Sequence, residues 1–577
     1  MINNNPLIPL LLLLLHFFER AVLELVKQLR GVLEATRAIT DMINNPIQMA
    51  DLHVQLADSY RGSAALRSEF FDALSNIHIT EGWYSEAAVC QAHSLAIIGK
   101  ELQAKSLIAQ TDWSLLDILN KQIAIEEELF SSATVGNTQL GGFTITTRKV
   151  DDLVRTLLLS ERYEAIGPIY RLSVPIFEKQ LDFKYLVGIY AELQQACSRA
   201  AEIKLNSKRH LGSYFKVVFH GESHFCDEHK TEWVYREPKL TSLAEACDHM
   251  VESVRLALGH DRVQVLNDKS IDEANLDPST AFIQVAYIEP STSPNNSKNK
   301  NTSTKSSSNI DSSSTSQSTS ENSLTNEEKI DLMAYNSHTN IWTFIQEEKL
   351  IDNNVDENEQ EMARTALRRL ILTVESPFPN TRRRQKIVQT EENILSPLEL
   401  ACECLIFKAG QIRRILTAAD IPRSHYGIHD KETLKRLDLK QLQLFLQGSV
   451  SPTVNAGLLA YAESFTSPAQ KQRYGKNGIG RLVVAFKTLI AELDVALRVN
   501  EAALAGDRVE YQSMLRQSFD GMLERLSMFF EGEKFLQKPG ESDSDDTLSL
   551  GVFGRIERTD SSAAEMHIFD SISGLNG

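Results

Sequence analysis

At 577 residues the chain is too long for a single core, so several lobes are expected. Its composition, 42% hydrophobic and 24% charged, is ordinary for a globular protein, and the formal charge of −17 argues against a general nucleic-acid binder, whose footprint is basic. Six cysteines, at 90, 197, 226, 247, 402 and 404, are too sparse for a disulfide scaffold and fit a reducing, cytoplasmic compartment.

The chain begins with an apolar run, "PLIPLLLLLLHFF", shorter than the roughly 20 residues a helix needs to span a bilayer. It lacks the basic start and small-residue cleavage site of a secretory signal. Residues 1–39 therefore read as an apolar segment that starts a helix or ends the fold loosely, with a membrane-touching role as the alternative. From about 20 to 205 the periodicity is helical, broken at Arg61-Gly62-Ser63 and Glu81-Gly82. Ala87, Ala88 and Ala92 would let helices approach closely. Residues 40–207 read as an irregular helical array, only loosely like a tetratricopeptide repeat.

The period changes near Leu211. "GSYFKVVFHG", "EWVYREP", "RVQVLND", "AFIQVAYIEP", "NIWTFIQ" and "RRLILTVESPFP" are strand-like segments bounded by turn residues. A helix between them, "TSLAEACDHMVESVRLALG", takes Thr241 as its N-cap and stops at Gly259. Ser, Thr and Asn dominate 291–326, which reads as a disordered insertion within a β-containing lobe, 208–378. The next lobe, 379–535, opens with "ILSPLELA", where Ser396 caps, Pro397 takes the first helical position and Glu399 completes a capping box. More helices follow, as in a bundle. An acidic, Ser/Asp-rich tail, 536–577, reads as mostly disordered, its serines open to phosphorylation. The fold class is thus mainly α with a β-containing middle lobe.

Motifs for covalent chemistry are missing. No phosphate-binding loop, dinucleotide fingerprint, zinc-protease helix or nucleophile elbow is present. His220, His224, Cys226 and His229 match no standard zinc spacing and read as a polar hairpin loop. Cys402 and Cys404 point apart on a helix, so no metal and no cofactor are expected. The basic run "TRRRQK", 381–386, reads equally as a solvated connector or as a patch for an acidic partner. One stretch stands out. "LQGSVSPTVNAGLLAYAESF", 446–465, interrupts helical periodicity with Gly448, Ser449, Ser451, Pro452, Asn455 and Gly457, yet carries Val450 and Val454. On residue chemistry alone it is a connector with its valines tucked against neighbouring helices.

The segments "SEAAVCQAHSLA", "GSYFKVVFHG", "YREPKLTSLAE", "LDPSTAFIQVAYIEP", "ILSPLELA" and "LQGSVSPTVNAGLLAYAESF", in this order, resemble the second homology region (DHR-2) of the dedicator-of-cytokinesis family. "VNAGLLAYA" and the tail look most like its zizimin branch. The resemblance implies a guanine nucleotide exchange factor for a Rho-family small GTPase, Cdc42-like before Rac-like, working without covalent chemistry. It implies a helical array that homodimerises, two packed antiparallel sheets, and a four-helix bundle whose longest helix is interrupted by a loop insert, 446–458. The GTPase would sit between the second and third lobes. Val454 aligns with the family's nucleotide-sensing valine, with Val450 one turn away as the alternative. Gly448 and Gly457 would let the backbone leave and re-enter helix, Pro452 would block regular helix, and Asn455 would brace the loop or reach a switch. Leu395, Ser396, Pro397, Gln447 and Ser449 would contact the GTPase. Membrane association would come only by peripheral recruitment, and a non-catalytic dimeric scaffold is the rival reading. Two departures stand against the family pattern: the lipid-binding first homology region that the family carries upstream is not supplied by this sequence, as expected of a shortened member or of an incomplete gene product, and the Ser/Thr/Asn insertion is unusual.

Overall fold

The computed structural model describes residues 7–41, 46–60, 63–106, 108, 110–123, 141–206, 209, 211–238, 240–259, 262–266, 276–291, 339–351, 359–419, 421, 431–450, 457–504 and 508–536. The Ser/Thr/Asn insertion and the acidic tail, read above as disordered, lie outside these residues apart from Ser291 and Leu536.

The array is built from α1 (Leu7–Asp41), α2 (Pro46–Ser59), α3 (Ala64–Thr80), α4 (Tyr84–Ala104), α5 (Gly141–Leu159), α6 (Tyr163–Tyr170), α7 (Val174–Gln180) and α8 (Phe183–Asn206). The apolar start is thus part of one long helix running past residue 39. Helix α4 is the spine. Ala87, Ala88, Ala92 and Ala96 are fully buried, so α3 and α5 close on it without bulky side chains between. At Gly99 the Trp113 ring, from the turn after α4, packs directly on the helix, and a Cβ there would stand 1.9 Å from it. A polar cross-tie joins the three helices: Lys149 Nζ lies 2.7 Å from Asp72 and 2.6 Å from Ser94 Oγ.

Among the described residues the middle lobe holds seven strands: β1 (Ser213–His220), β2 (Glu232–Glu237), β3 (Val263–Leu266), β4 (Ala281–Ser291), β5 (Ile341–Ile351), β6 (Thr365–Phe378) and β7 (Arg384–Leu395). Their order is β1-β2-β7-β6-β5-β4-β3, and β1 also pairs with β4, so six strands close on themselves. The strands form one continuous, largely antiparallel sheet closed on itself, where the resemblance implied two packed sheets. Phe282 to Ile288 of β4 pair with β1 and its last three residues, Glu289 to Ser291, with β5. β7 pairs with β2 through Arg384–Lys386 and then with β6. β3 joins β4 in parallel. Helix α9 (Leu243–Leu258) covers β3 and β4 through Met250 and Val254. Its cap is Ser242, one residue after the expected Thr241. The Ser242 hydroxyl accepts from the Glu245 N–H while Glu245 reaches back, and Gly259 ends the helix in the left-handed region at φ +68°.

The "TRRRQK" run corrects both readings made of it. It is neither a solvated connector nor a free basic patch, but the seam between array and sheet. Thr381, Arg383, Arg384 and Gln385 are all buried. Arg383 pairs with Glu237 at 2.6 Å, and its guanidinium lies 3.9 Å from the centre of the Trp83 ring. Arg384 binds Asp51 of α2 and Glu228. His78 of α3 bonds the Thr381 carbonyl at 2.9 Å. Beside them Arg236 of β2 pairs directly with Glu86 of α4. Burial is tolerable because every cation meets a carboxylate from another element. The strand that follows, β7, also moves the lobe boundary: 379–395 belongs to the sheet, and the bundle starts at Ser396.

The main helices of the bundle are α10 (Pro397–Ala418), α11 (Leu439–Val450), α12 (Leu459–Phe465), α13 (Pro468–Leu504) and α14 (Val509–Phe529), around Leu405, Ile412, Leu446, Phe465, Phe486, Leu493 and Phe519. The longest helix, α13, is kinked at Gly475, where φ is +62°. The loop insert does not interrupt that helix, as the resemblance implied; it links α11 to α12.

Candidate functional site

Helix α11 carries the chain into the loop. Leu442, Leu446, Ser449 and Val450 recur at helical spacing and are buried against α13 and α14, while Gln447 and Gly448 face solvent. A buried amide chain fixes its orientation: Gln443 Nε2 donates to Asn500 Oδ1 at 3.1 Å, Asn500 to Gln512 at 2.7 Å, and Gln512 to the Leu497 carbonyl at 2.9 Å.

Three expectations change here. Gly448 is not where the backbone leaves the helix, because α11 continues through it to Val450. Ser449, expected at a GTPase, is 8% exposed and turned inward. Val450, the alternative sensor position, is 3% exposed and packed within the bundle core. Val454, Asn455 and Pro452 lie outside the described residues. The loop ends at Gly457, whose φ of +56° suits a residue without a Cβ, and Leu458 is buried at 1%. Buried Val450 and Leu458 therefore anchor the loop on either side.

The far anchor, α12, is tied to both neighbours. Ser464 Oγ lies 2.5 Å from Gln360 Oε1 and Ser467 donates to Glu359 at 3.2 Å, both from the segment between β5 and β6. Ala363 of that segment is fully buried in the bundle core. Below α12, Tyr461 hydrogen-bonds Cys404, and Lys408 Nζ stands 5.2 Å from the centre of its ring. Burial pushes the Cys404 thiol up to about 11 and Cys402 up to about 12, so both stay protonated as packing groups.

The Leu395–Pro397 corner links β7 to α10. Ser396 accepts from the Glu399 N–H, and Glu399 Oε2 lies 2.9 Å from the Ser396 hydroxyl. Burial alone would raise the Glu399 carboxyl, but the Ser396 bonds and Arg481 outweigh it and hold it below the usual range. Leu395 and Pro397 are buried, whereas Ser396 is half-buried. Arg369 of β6 clamps α10 to the sheet, pairing with Glu403 at 2.9 Å and Glu347 at 2.7 Å. Sequence reading missed the approach to this corner. β7 is exposed from Gln389 to Ile394, with Val388 and Ile394 presenting 60% and 59% of their surface. The signal was an apolar residue at each end of an otherwise polar strand.

Near the four His and Cys residues of 220–229, the Gly221 N–H donates to His229 Nδ1 at 3.1 Å. Among the described residues, no three His, Cys, Asp or Glu side chains gather as a metal site, and no helix is long and apolar enough to cross a membrane.

Two family models match the chain: "DHR-2, Lobe A" over 51–202 and "DHR-2, Lobe C" over 428–529. The first falls in the array and the second covers the loop and its flanking helices. Among curated proteins the chain is 28% identical over 525 residues to dedicator of cytokinesis protein 9 of Mus musculus, covering 88% of this chain and 23% of that protein. It is 26% identical to dedicator of cytokinesis protein 11 of Danio rerio, over 90% of this chain and 23% of that one. Human dedicator of cytokinesis protein 8 matches at 26% over 89% of this chain. The chain spans about a quarter of the length of these relatives.

Proposed function

From the premise that this chain belongs to the dedicator-of-cytokinesis family as a DHR-2 region, its matches to proteins 9 and 11 fitting the zizimin branch, we propose that it is a guanine nucleotide exchange factor for a Rho-family small GTPase, Cdc42-like before Rac-like. One observation carries the reading: a short segment with an apolar residue at its centre, Val454, is strung between Val450 and Leu458, both buried in a rigid bundle. Such anchoring lets a loop push an apolar side chain into a partner without the bundle yielding.

The physics follows from the partner's chemistry. A small GTPase holds nucleotide partly through magnesium and through switch loops ordered around metal and phosphate. Magnesium demands near-ideal octahedral oxygen coordination, and a valine offers no ligand. Val454 inserted there excludes the ion, nucleotide affinity falls, and by reciprocity incoming nucleotide and magnesium weaken the complex. Gln447, exposed on α11, and the Val388–Ile394 face of β7 are the surfaces available to the switches. Dimerisation through the array is supported by α8, where Phe183, Val187 and Tyr190 line one face with 65%, 69% and 51% of their surface exposed.

The test is release of fluorescent GDP from a panel of Rho-family GTPases. The wild type accelerates release on a Cdc42-like member, Val454→Ala loses that acceleration while still binding the nucleotide-free GTPase, and Val450→Ala lowers the melting temperature instead. Unchanged release by Val454→Ala would refute the sensor. Binding without acceleration on any member would favour the scaffold.

A further inference from the structure

Strand β7 offers an edge that the fold leaves open. Arg384 to Lys386 pair with β2 on one side, and Leu367 to Val374 of β6 run along the other. From Ile387 to Leu395 no strand lies on the β2 side among the described residues. Every residue from Val388 to Ile394 is exposed, so about 23 Å of backbone turns its outward N–H and C=O groups to solvent. One face of this stretch runs Val388, Thr390, Glu392, Ile394, apolar at both ends, with Glu392 held by Arg368 at 2.7 Å. On the other face Glu391 meets only the Gln389 amide, at 2.8 Å, among the described residues. Such an edge fits an extended segment with two apolar side chains six residues apart and a cation on the opposite face.

The tail contains that pattern, in a stretch outside the described residues. In "TLSLGVFGRIER", 547–558, Leu548, Leu550, Val552 and Ile556 fall on one face of an extended chain and Arg555 on the other. The tail also leaves the bundle beside the edge. Phe535 packs on Phe486 of α13, and Lys487 pairs with Glu533 at 3.1 Å. Earlier on the same helix Arg481 pairs at 3.3 Å with Glu399, in the α10 cap that directly follows Leu395. Residues 537–549 then reach up to about 43 Å when extended.

We propose that 548–556 adds to the open edge of β7 as an antiparallel strand, in the register that sets Leu550 on Ile394 and Ile556 on Val388. Arg555 then faces Gln389 with Glu391 as its diagonal neighbour, and Val552 lies along the stem of Glu392. The direction follows from the exit point: a chain arriving from the Leu395 end meets Ile394 with its nearer residues and Val388 with its farther ones. A segment without a core of its own orders only when a partner supplies the hydrogen bonds, as the edge does here. Tethering gives it an effective concentration on the order of millimolar, so an intrinsic affinity of about 0.1 mM leaves roughly ten docked chains for each open one. The docked strand covers the β7 face that the exchange reading gives to the switches. The pairing stands without that reading; its effect on GDP release, an apparent GTPase affinity about tenfold weaker, rests on it.

The experiment compares the full chain with its Gly551→Pro/Val552→Pro variant. Two neighbouring prolines remove a ladder donor whichever set of amides faces β7. Without any GTPase, the outward amides between Val388 and Ile394 are expected to exchange hydrogen roughly tenfold more slowly in the wild type than in the variant, with β6 unchanged. In a Cys197→Ser/Cys226→Ser background, Ile394→Cys/Leu550→Cys is expected to close an intrachain disulfide on mild oxidation. Val388→Cys/Leu550→Cys, about 20 Å apart in this register, is expected to close none. At limiting GTPase the proline variant is expected to release GDP about tenfold faster than the wild type. Slow amides and the intrachain disulfide, with no GDP release by either chain, would support the docking and refute the exchange reading. Equal hydrogen exchange in the two chains, a disulfide that joins two chains instead of closing within one, or crosslinking of Val388→Cys to Leu550→Cys would each overturn the proposal.

Discussion

Changing Glu86 to Gln isolates the electrostatics of the seam between array and sheet. Glu86 and Arg236 are 0% and 3% exposed and paired directly, with Ser85 and the Leu211 carbonyl also accepting from the guanidinium. Burial alone would raise the Glu86 carboxyl, but Arg236 outweighs it and holds the group ionised. Gln keeps the volume and removes only the charge, stranding Arg236 beside Arg162, a second buried cation already pushed down to about 10 by burial and by Arg236. Removing one partner of such a pair costs about 3–5 kcal/mol, a large share of a domain's net 5–15 kcal/mol. Replacing both, as E86L/R236M, removes the stranded charge and should cost less than E86Q alone. Urea unfolding should be followed by tryptophan fluorescence, since Trp83 lies in the seam, and by far-UV circular dichroism to separate the lobes. A loss below about 1 kcal/mol for E86Q, or a double variant as weak as the sum of its singles, would refute the reasoning.

His78 in the same seam is pushed down to about 4 by burial, so the unfolded chain binds a proton there that the native chain does not between pH 6.5 and 4. Its stabilising contribution is whole above pH 6.5 and lost as pH falls towards 4, by roughly 3 kcal/mol, and His78→Gln should flatten that slope in urea midpoints; an unchanged slope would contradict it. Gly99→Ala should destabilise by about 1–3 kcal/mol or more, because its methyl would fall 1.9 Å from the Trp113 ring, and a shifted tryptophan emission should accompany the loss. Gly448→Ala should raise the melting temperature, gaining roughly 0.5–1 kcal/mol of helix stability, since the position is helical and open; a lower melting temperature would show that the glycine is needed there.

Local chemistry made several elements legible before any packing was known. Ser396, Pro397 and Glu399 specify a helix start through bonds among neighbours, and Gly259 stops α9 because only a residue without a Cβ enters the left-handed region freely. The strands from β1 to β6 declared themselves through β-branched and aromatic residues between turns. β7 did not, because a strand exposed along most of its length loses the alternation that one buried face imposes. The placement of Arg383 and Arg384 was equally out of reach: Glu237, Asp51 and Glu228, far away in sequence, must converge before those cations can be buried. The burial of Val450 follows the same logic. In sequence it is an apolar residue among helix breakers. Only the bundle shows that α11 runs on past Gly448 and that its helical face carries Val450 into the core. Helix caps and turns are settled among residues a few positions apart and can be read from the chain, whereas burial depends on which distant surfaces arrive at the same place, and only the tertiary structure decides that.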